Sequence, residues 1–203
     1  MNIFVLDSDP QKAAMMHCDP HVRKMIIEYL QIASTAKRVI DGEAIRIKVN
    51  NRARTIYALE NELVEIVEKD GVEKVEISPF NCYLATHVNH PSSIWARQTS
   101  GNYLWLMELT KHLLDEYTFR HGKIHACTRA FDKLRDSPMG IPIGPITPFA
   151  QAMPDEFKVE NDAISAYRNF YVGSKSRFAV WSKRESPDWF SSRVDKPKSA
   201  YQR

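Results

Sequence analysis

Asp19-Pro20-His21-Val22-Arg23-Lys24-Met25-Ile26-Ile27-Glu28-Tyr29-Leu30-Gln31-Ile32-Ala33 is the stretch that decides the fold class. Val22, Met25, Ile26, Tyr29, Leu30 and Ala33 recur at 3.6-residue spacing, so the spacing predicts an amphipathic helix with one buried stripe. Asp19 can cap it and Pro20 can occupy its first helical position. Beside the stripe, His21, Lys24 and Glu28 stand at i, i+3 and i+7. That strip reads either as a solvated flank with a Lys-Glu pair or as the border of a pocket.

Toward the N-terminus the same device occurs once more: the apolar run Ile3–Leu6 is a buried extended segment, and Asp9-Pro10 opens a short helix after it. Toward the C-terminus the period changes at Gly42. Ile45–Val49, Thr55–Leu59, Leu63–Val67 and Val72–Ile77 alternate apolar and polar residues, with Asn50-Asn51 and Lys69-Asp70-Gly71 as turns between them. Residues 41–77 carry six basic and nine acidic side chains, so this element reads as a β-insertion facing water that does not clasp DNA. Further on, Ser92 or Ser93 caps a short helix and Ser100 or Gly101 begins the longest one. Its apolar face is Tyr103, Leu106, Met107, Leu113, Leu114 and Tyr117, with Asn102, Trp105, His112, Glu116 and Arg120 toward other sides and Gly122 as the stop. A helix over Ala126–Arg135 follows, then a Pro/Gly-rich linker, Ser137–Pro148, that wraps the core or moves as a lid. Asn161 or Asp162 caps a helix bearing Ile164, Tyr167, Phe170 and Tyr171, and a second piece runs over Ser174–Arg184. The expected fold class is mainly α, a compact helical domain over residues 1–190 with a β-hairpin insertion at about 42–77, followed by a basic flexible tail at 191–203.

The 203 residues, 43% hydrophobic, suffice for one substantial core. The net charge is only +3, yet residues 165–203 hold nine Lys/Arg against three acids, the polarity of a polyanion-binding end or of a solvated tail. Three cysteines form no disulfide pattern, and no apolar run approaches the roughly 18 residues needed to span a bilayer. A soluble cytoplasmic protein with no membrane contact is the expectation.

Chemistry concentrates between Tyr83 and Lys123. His17, Cys18, His21, His87, His90, His125 and Cys127 are zinc-ligand types, but no Cys-x-x-Cys pair or finger spacing organises them, so no metal is expected. Seven glycines and no G-x-x-x-x-G-K or G-x-G-x-x-G pattern argue against a nucleotide cofactor, and none is expected. No nucleophile elbow supports a hydrolase triad. What remains is an acid–base set, His87, Asn89, His90, Glu28 and His21, beside an aromatic and basic set: Trp95, Arg97, Asn102, Tyr103, Trp105, Arg120, Lys123, Lys24, Tyr167, Arg168, Tyr171 and Lys175. Aromatic faces stack on an exposed base while Arg and Lys take phosphate oxygens, which suits a protein acting on a base in DNA. Each of these aromatics taken alone is more often core. The expected partners are DNA and a small-molecule co-substrate.

The motifs Met1-Asn2-Ile3-Phe4-Val5-Leu6-Asp7-x-Asp9-Pro10, His17-Cys18-Asp19-x-His21-Val22-x-Lys24-Met25, Thr86-His87-x-Asn89-His90-Pro91, Trp95-Ala96-Arg97, Asn102-Tyr103-x-Trp105-Leu106, Glu116-Tyr117, Arg120-x-Gly122-Lys123-x-His125, Ala152-Met153-Pro154-Asp155, Ala166-Tyr167-Arg168 and Tyr171 resemble a family of largely uncharacterised tailed-phage proteins. The resemblance covers nearly the whole chain apart from the β-insertion. The layout is also similar, more distantly, to the phage pyrimidine-dimer DNA glycosylases of the endonuclease V kind. Those enzymes attack with the amino group exposed by Met removal, which needs a small second residue. Asn2 predicts that Met1 stays, and Glu28 with Arg23 and Lys24 is only a loose counterpart of their catalytic Glu.

The resemblance therefore implies a phage DNA-binding enzyme acting on a pyrimidine base. A base-modifying transferase with His87 or His90 as general base is favoured. The alternatives are a pyrimidine-dimer-type glycosylase/lyase and a non-catalytic phage protein that binds nucleic acid or a host factor. His87, Asn89, His90, Arg97 and Asn102 are expected to meet in one pocket.

Overall fold

The computed structural model describes residues 1–79 and 82–194. The chain enters as extended backbone with Ile3, Phe4, Val5 and Leu6 buried. Asp9 then caps α1 (Pro10–Met16), accepting from the Gln11 and Lys12 amides. A tight corner leads into α2 (Asp19–Asp41), whose stripe Val22, Met25, Ile26, Tyr29, Leu30 and Ala33 is buried as its spacing predicts. Asp19 does not cap α2. Cys18 takes that position with no side-chain bond, because the Asp19 carboxylate is drawn to Arg120 Nη1 at 3.0 Å and accepts from the Ser182 amide and hydroxyl.

At Gly42 the helix turns directly into strand. A Cβ there would lie 2.5 Å from the Arg38 carbonyl oxygen, so only glycine fits the joint. Strands β1 (Glu43–Val49) and β2 (Arg52–Ala58) form one antiparallel hairpin, with Val49 opposite Arg52. Strands β3 (Leu63–Lys69) and β4 (Val72–Ser78) form a second, with Lys69 opposite Val72. Their two-residue turns are Asn50-Asn51, at φ 48° and 59°, and Asp70-Gly71, at 55° and 72°; positive φ at both positions matches the right-handed twist of the strands. The insertion is thus two separate two-stranded sheets. Helices hold 44% of the described residues and strands 15%, so it is a mixed helical domain with β-hairpins, less helical than "mainly α".

α3 (Pro91–Ala96) is capped by His90, whose ring Nδ1 accepts from the Ser92 amide at 3.2 Å, and not by either serine. Thr99 caps α4 (Ser100–His121), and Gly122 ends it at φ 66°. α4 keeps an exposed stripe of Leu104, Glu108, Lys111, Asp115 and Phe119, while Asn102, Trp105, Glu116 and Arg120, expected off its apolar face, are core residues. The 137–148 linker is a strap over the start of α4. The Ser100 and Gly101 amides donate to the Pro142 and Gly144 carbonyls, and a Cβ at Gly101 would meet strap atoms at 2.7 Å.

After α5 (Thr128–Leu134), helix α6 (Ala163–Phe170) is capped by Asp162 and runs on through a π-helical turn, Tyr171–Lys175. The helix expected over Ser174–Arg184 is not formed beyond that turn. Its chain groups serve the α1–α2 corner instead: the Val180 carbonyl accepts from the Asp19 amide at 2.8 Å, and Trp181 Nε1 donates to Met16 O at 3.0 Å. α7 (Asp188–Ser191) follows, and Arg193 donates to Asn169 Oδ1 at 2.8 Å. Of the expected tail, residues 191–194 are therefore tied to the body, and 195–203 lie outside the described residues. One core cluster runs from Ile3 to Phe190. No described helix is long and apolar enough to cross a membrane.

Arg120 joins these elements. Its guanidinium, 0% exposed, meets Asp19, Glu116 and the Met15 and His17 carbonyls, and Arg184 closes the network by donating to both Glu116 oxygens. Arg120→Ala leaves Asp19 and Glu116 buried without their common cation. The expected cost is about 3–5 kcal/mol, measured as a fall in the urea midpoint at unchanged slope; a change below about 1 kcal/mol would contradict the network's role.

Candidate active site

Burial of Ile3–Leu6 places the start of the chain against the middle of α2. There Glu28, with its side chain 16% exposed, serves two amines, one on each carboxylate oxygen. Lys24 Nζ lies 3.2 Å from Oε1. The Met1 α-amine lies 3.7 Å from Oε2, which also accepts from the Asn2 amide at 3.2 Å. Asn2 anchors this arrangement: its Nδ2 donates to Ala152 O at 2.7 Å and its Oδ1 accepts from the Ile3 amide, with the Tyr167 hydroxyl at 2.9 Å.

Four further candidates are linked to this cluster electrostatically: His90 and Lys175 to Glu28, His21 to Lys24, and His87 only through His90. His90 is held below the usual imidazole range by burial first, then by the positive charge of the chain's amine and by His87, with Glu28 opposing. Lys175 lies 4.4 Å over the Phe170 ring, and burial, then Lys24 and Arg177, lower its pKa. His87 is exposed in a turn at φ 49°, with Nδ1 2.8 Å from the Thr86 hydroxyl. His21 lies one turn before Lys24 on α2. It is buried among Phe4, Tyr171 and Phe178, its Nδ1 has no hydrogen-bond partner among the described residues, and burial pushes its pKa down to about 3, so it is neutral. The strip His21, Lys24, Glu28 thus borders the site.

The predicted substrate-binding residues are mostly elsewhere, holding the fold. Trp95 Nε1 donates to Thr147 O and Trp105 Nε1 to Ser8 O. The Asn102 amide is engaged at both ends, by Trp95 O, by Thr147 Oγ1 and by the Thr147 amide. The Tyr103 hydroxyl donates to Leu134 O, that of Tyr171 accepts from the Cys18 amide, and that of Tyr167 lies 2.8 Å from Ala150 O. Arg168 donates to Leu6 O and pairs with Asp7. Arg97 donates to Val88 O at 2.6 Å, bracing the turn that carries His87, exposed Asn89 and His90, whereas Asn102 does not join them. Lys123 is exposed beyond the end of α4.

The C-terminal basic excess is likewise largely internal, since Arg184, Lys183 and Arg193 join Arg168 in intramolecular bonds. Lys24, paired with Glu28, is exposed, as is Arg177, which acts on Lys175. The sequence offered no direct sign of the Met1 amine at this site. Its signal was indirect: a buried apolar run so close to the first residue must carry that residue to the core with it. No group of three or more His, Cys, Asp or Glu among the described residues is placed to hold a metal ion. No protein-family model, curated protein or solved structure matches the chain.

The two neutral histidines set an acid limit. His17, buried by α1 and bonded to Ala13 O and the Tyr29 hydroxyl, is pushed down to about 4, and His21 to about 3, both chiefly by burial. Unfolded histidines bind protons below about 6.5, so the unfolded state takes up more protons and stability falls as pH drops from there toward 4. The expected slope is about 1.4 kcal/mol per pH unit for each histidine. Thermal unfolding at several pH values checks this: His17→Gln with His21→Gln should flatten the profile between pH 6.5 and 4, and an unchanged profile would refute it.

Proposed function

We propose that the chain is a phage DNA-binding enzyme that acts on a pyrimidine nucleotide at Glu28, as a glycosylase/lyase. The observation that carries this reading is a single half-buried carboxylate with a primary amine on each oxygen and Lys175 within electrostatic reach. Lys24, Lys175 and Arg177, which are electrostatically coupled through Lys175, suit the phosphates beside a displaced nucleotide. An amine needs a free electron pair to attack C1′ of the sugar, and Glu28 is the proton acceptor in reach of the amine. In that attack the C1′–N bond breaks, and the base leaves with that bond's electron pair and takes up a proton. At an abasic aldehyde the amine nitrogen bonds to C1′, the carbonyl oxygen leaves as water with two protons, and a C=N link remains.

Met1 can supply this amine without being removed, since its own α-amine lies 3.7 Å from Glu28. A transferase using His87 or His90 as base has less support. His90 Nδ1 is engaged in capping α3, and His87 Nδ1 faces the Thr86 hydroxyl.

Borohydride delivers hydride to C1′ of such an imine and fixes the adduct. Incubation with duplex DNA containing one abasic site is expected to trap the protein covalently, with peptide mapping to assign the adduct to the segment of Met1 or of Lys24. Glu28→Gln should lower the trapping rate by at least about 100-fold. Absence of any adduct, or full-rate trapping by Glu28→Gln, would sink the proposal.

A further inference from the structure

The hairpin β1–β2 carries Arg46, Lys48, Arg52 and Arg54 within nine residues, all exposed, and Glu43 is the only acid on its strands. None of the four side chains makes an ion pair or hydrogen bond among the described residues. This contrasts with the C-terminal region, where most described cations have internal partners. Charge over the whole insertion hides a polarity: β3–β4 holds Glu65, Glu68, Glu73 and Glu76 against Lys69 and Lys74. The acidic hairpin braces the basic one at its tip, where the Asn50 side chain donates to Glu73 O at 2.8 Å and accepts from the Glu73 amide. Lys48 shares a shallow hollow with Glu68 and Glu73, and Arg54 another with Glu73 and Lys74, so Arg46 and Arg52 are the less screened cations.

Register distributes these charges on both faces of the ribbon. Arg46 and Lys48 stand opposite Thr55 and Ala53 on one face, and Arg54 and Arg52 opposite Ile47 and Val49 on the other. The Arg46 and Lys48 face is open, with Ala53 and Thr55 exposed beside them, whereas the other face also carries the buried Val49 and Ile56, so the exposed cations suit a single phosphate backbone. The ribbon is also fixed to the site. It continues α2, which carries Lys24 and Glu28, and Tyr57 of β2 is within electrostatic reach of Arg97, which braces the His87–His90 turn.

We propose that β1–β2 is a second DNA-contacting arm that holds backbone phosphates flanking the nucleotide at Glu28. It rests on the DNA reading of that site. The arm supplies affinity and position, and takes no part in bond making.

The test is binding of an undamaged duplex, followed by fluorescence anisotropy across a salt series, for the Arg46→Ala/Arg52→Ala/Arg54→Ala triple variant. A control triple, Lys12→Ala/Lys111→Ala/Arg129→Ala, removes the same charge elsewhere. The ribbon variant should lower the log–log salt slope by roughly 2.7, about 0.9 for each phosphate no longer neutralised, and the control should leave it nearly unchanged. Trapping by the ribbon variant at saturating DNA should keep its rate. Equal slopes for both triples, or no change in either, overturns the arm. If the triple variant fails to fold by circular dichroism, the single variants decide, at roughly 0.9 each. A slope change without borohydride trapping of the wild type sinks the glycosylase reading and keeps the arm; trapping without a slope change sinks the arm alone. No binding at low salt sinks both.

Discussion

The burial of the Arg120 guanidinium is the constraint on which the architecture depends. A guanidinium cannot shed its charge and has five donors to satisfy, so once buried it dictates its surroundings. Here it collects the end of α1, the start of α2 and the last turns of α4, and Glu116 and Asp19 pass the connection on to Arg184 and Ser182. The α1–α2 corner is therefore held from three directions. The position of Glu28, two and a half turns further along α2, follows from that corner.

What could be read from the sequence was local. The stripe of α2, the Asp9 cap, Asp162 as one of the two caps open for α6, the Gly122 stop and the hairpin turns at Asn50-Asn51 and around Asp70-Gly71 depend on residues a few positions apart, and all appear in the structure. Lys69 belongs to β3 and not to its turn. The misreadings share a cause: residue type points polar side chains to surfaces or ligands, while their partners lie far away in sequence. Trp105 finds Ser8, Arg120 finds Asp19, and Trp181 finds Met16. Asp19 looks like a cap by every local criterion and is diverted by a cation about one hundred residues on. The same diversion ties Arg168 and Arg184 of the basic C-terminal stretch to Asp7 and Glu116.

The site shows the same division. Helical spacing alone aligned His21, Lys24 and Glu28, and the motif around His87 and His90 named the turn that meets them. The aromatic residues expected to stack on a base are instead the packing that fixes this turn and the α4 strap, as the Trp95, Trp105 and Phe149 cluster illustrates. Dense motifs of this kind mark where a chain is constrained, and packing constrains as strongly as chemistry does.

The Arg38 side chain has consequences for how the two hairpins could be inherited. It is wholly buried and engages Glu62 through two nitrogens, at 2.6 and 2.9 Å, together with the carbonyls of Tyr57, Cys82 and Tyr83. Two of these partners belong to the insertion itself and two to the chain that returns from it. A shorter relative lacking residues 43–78 would strand a positive charge on the last turn of α2 with half of its partners gone. Loss or gain of the hairpins should therefore be accompanied by a change at residue 38, and an Arg at that position is a sequence mark of the long form.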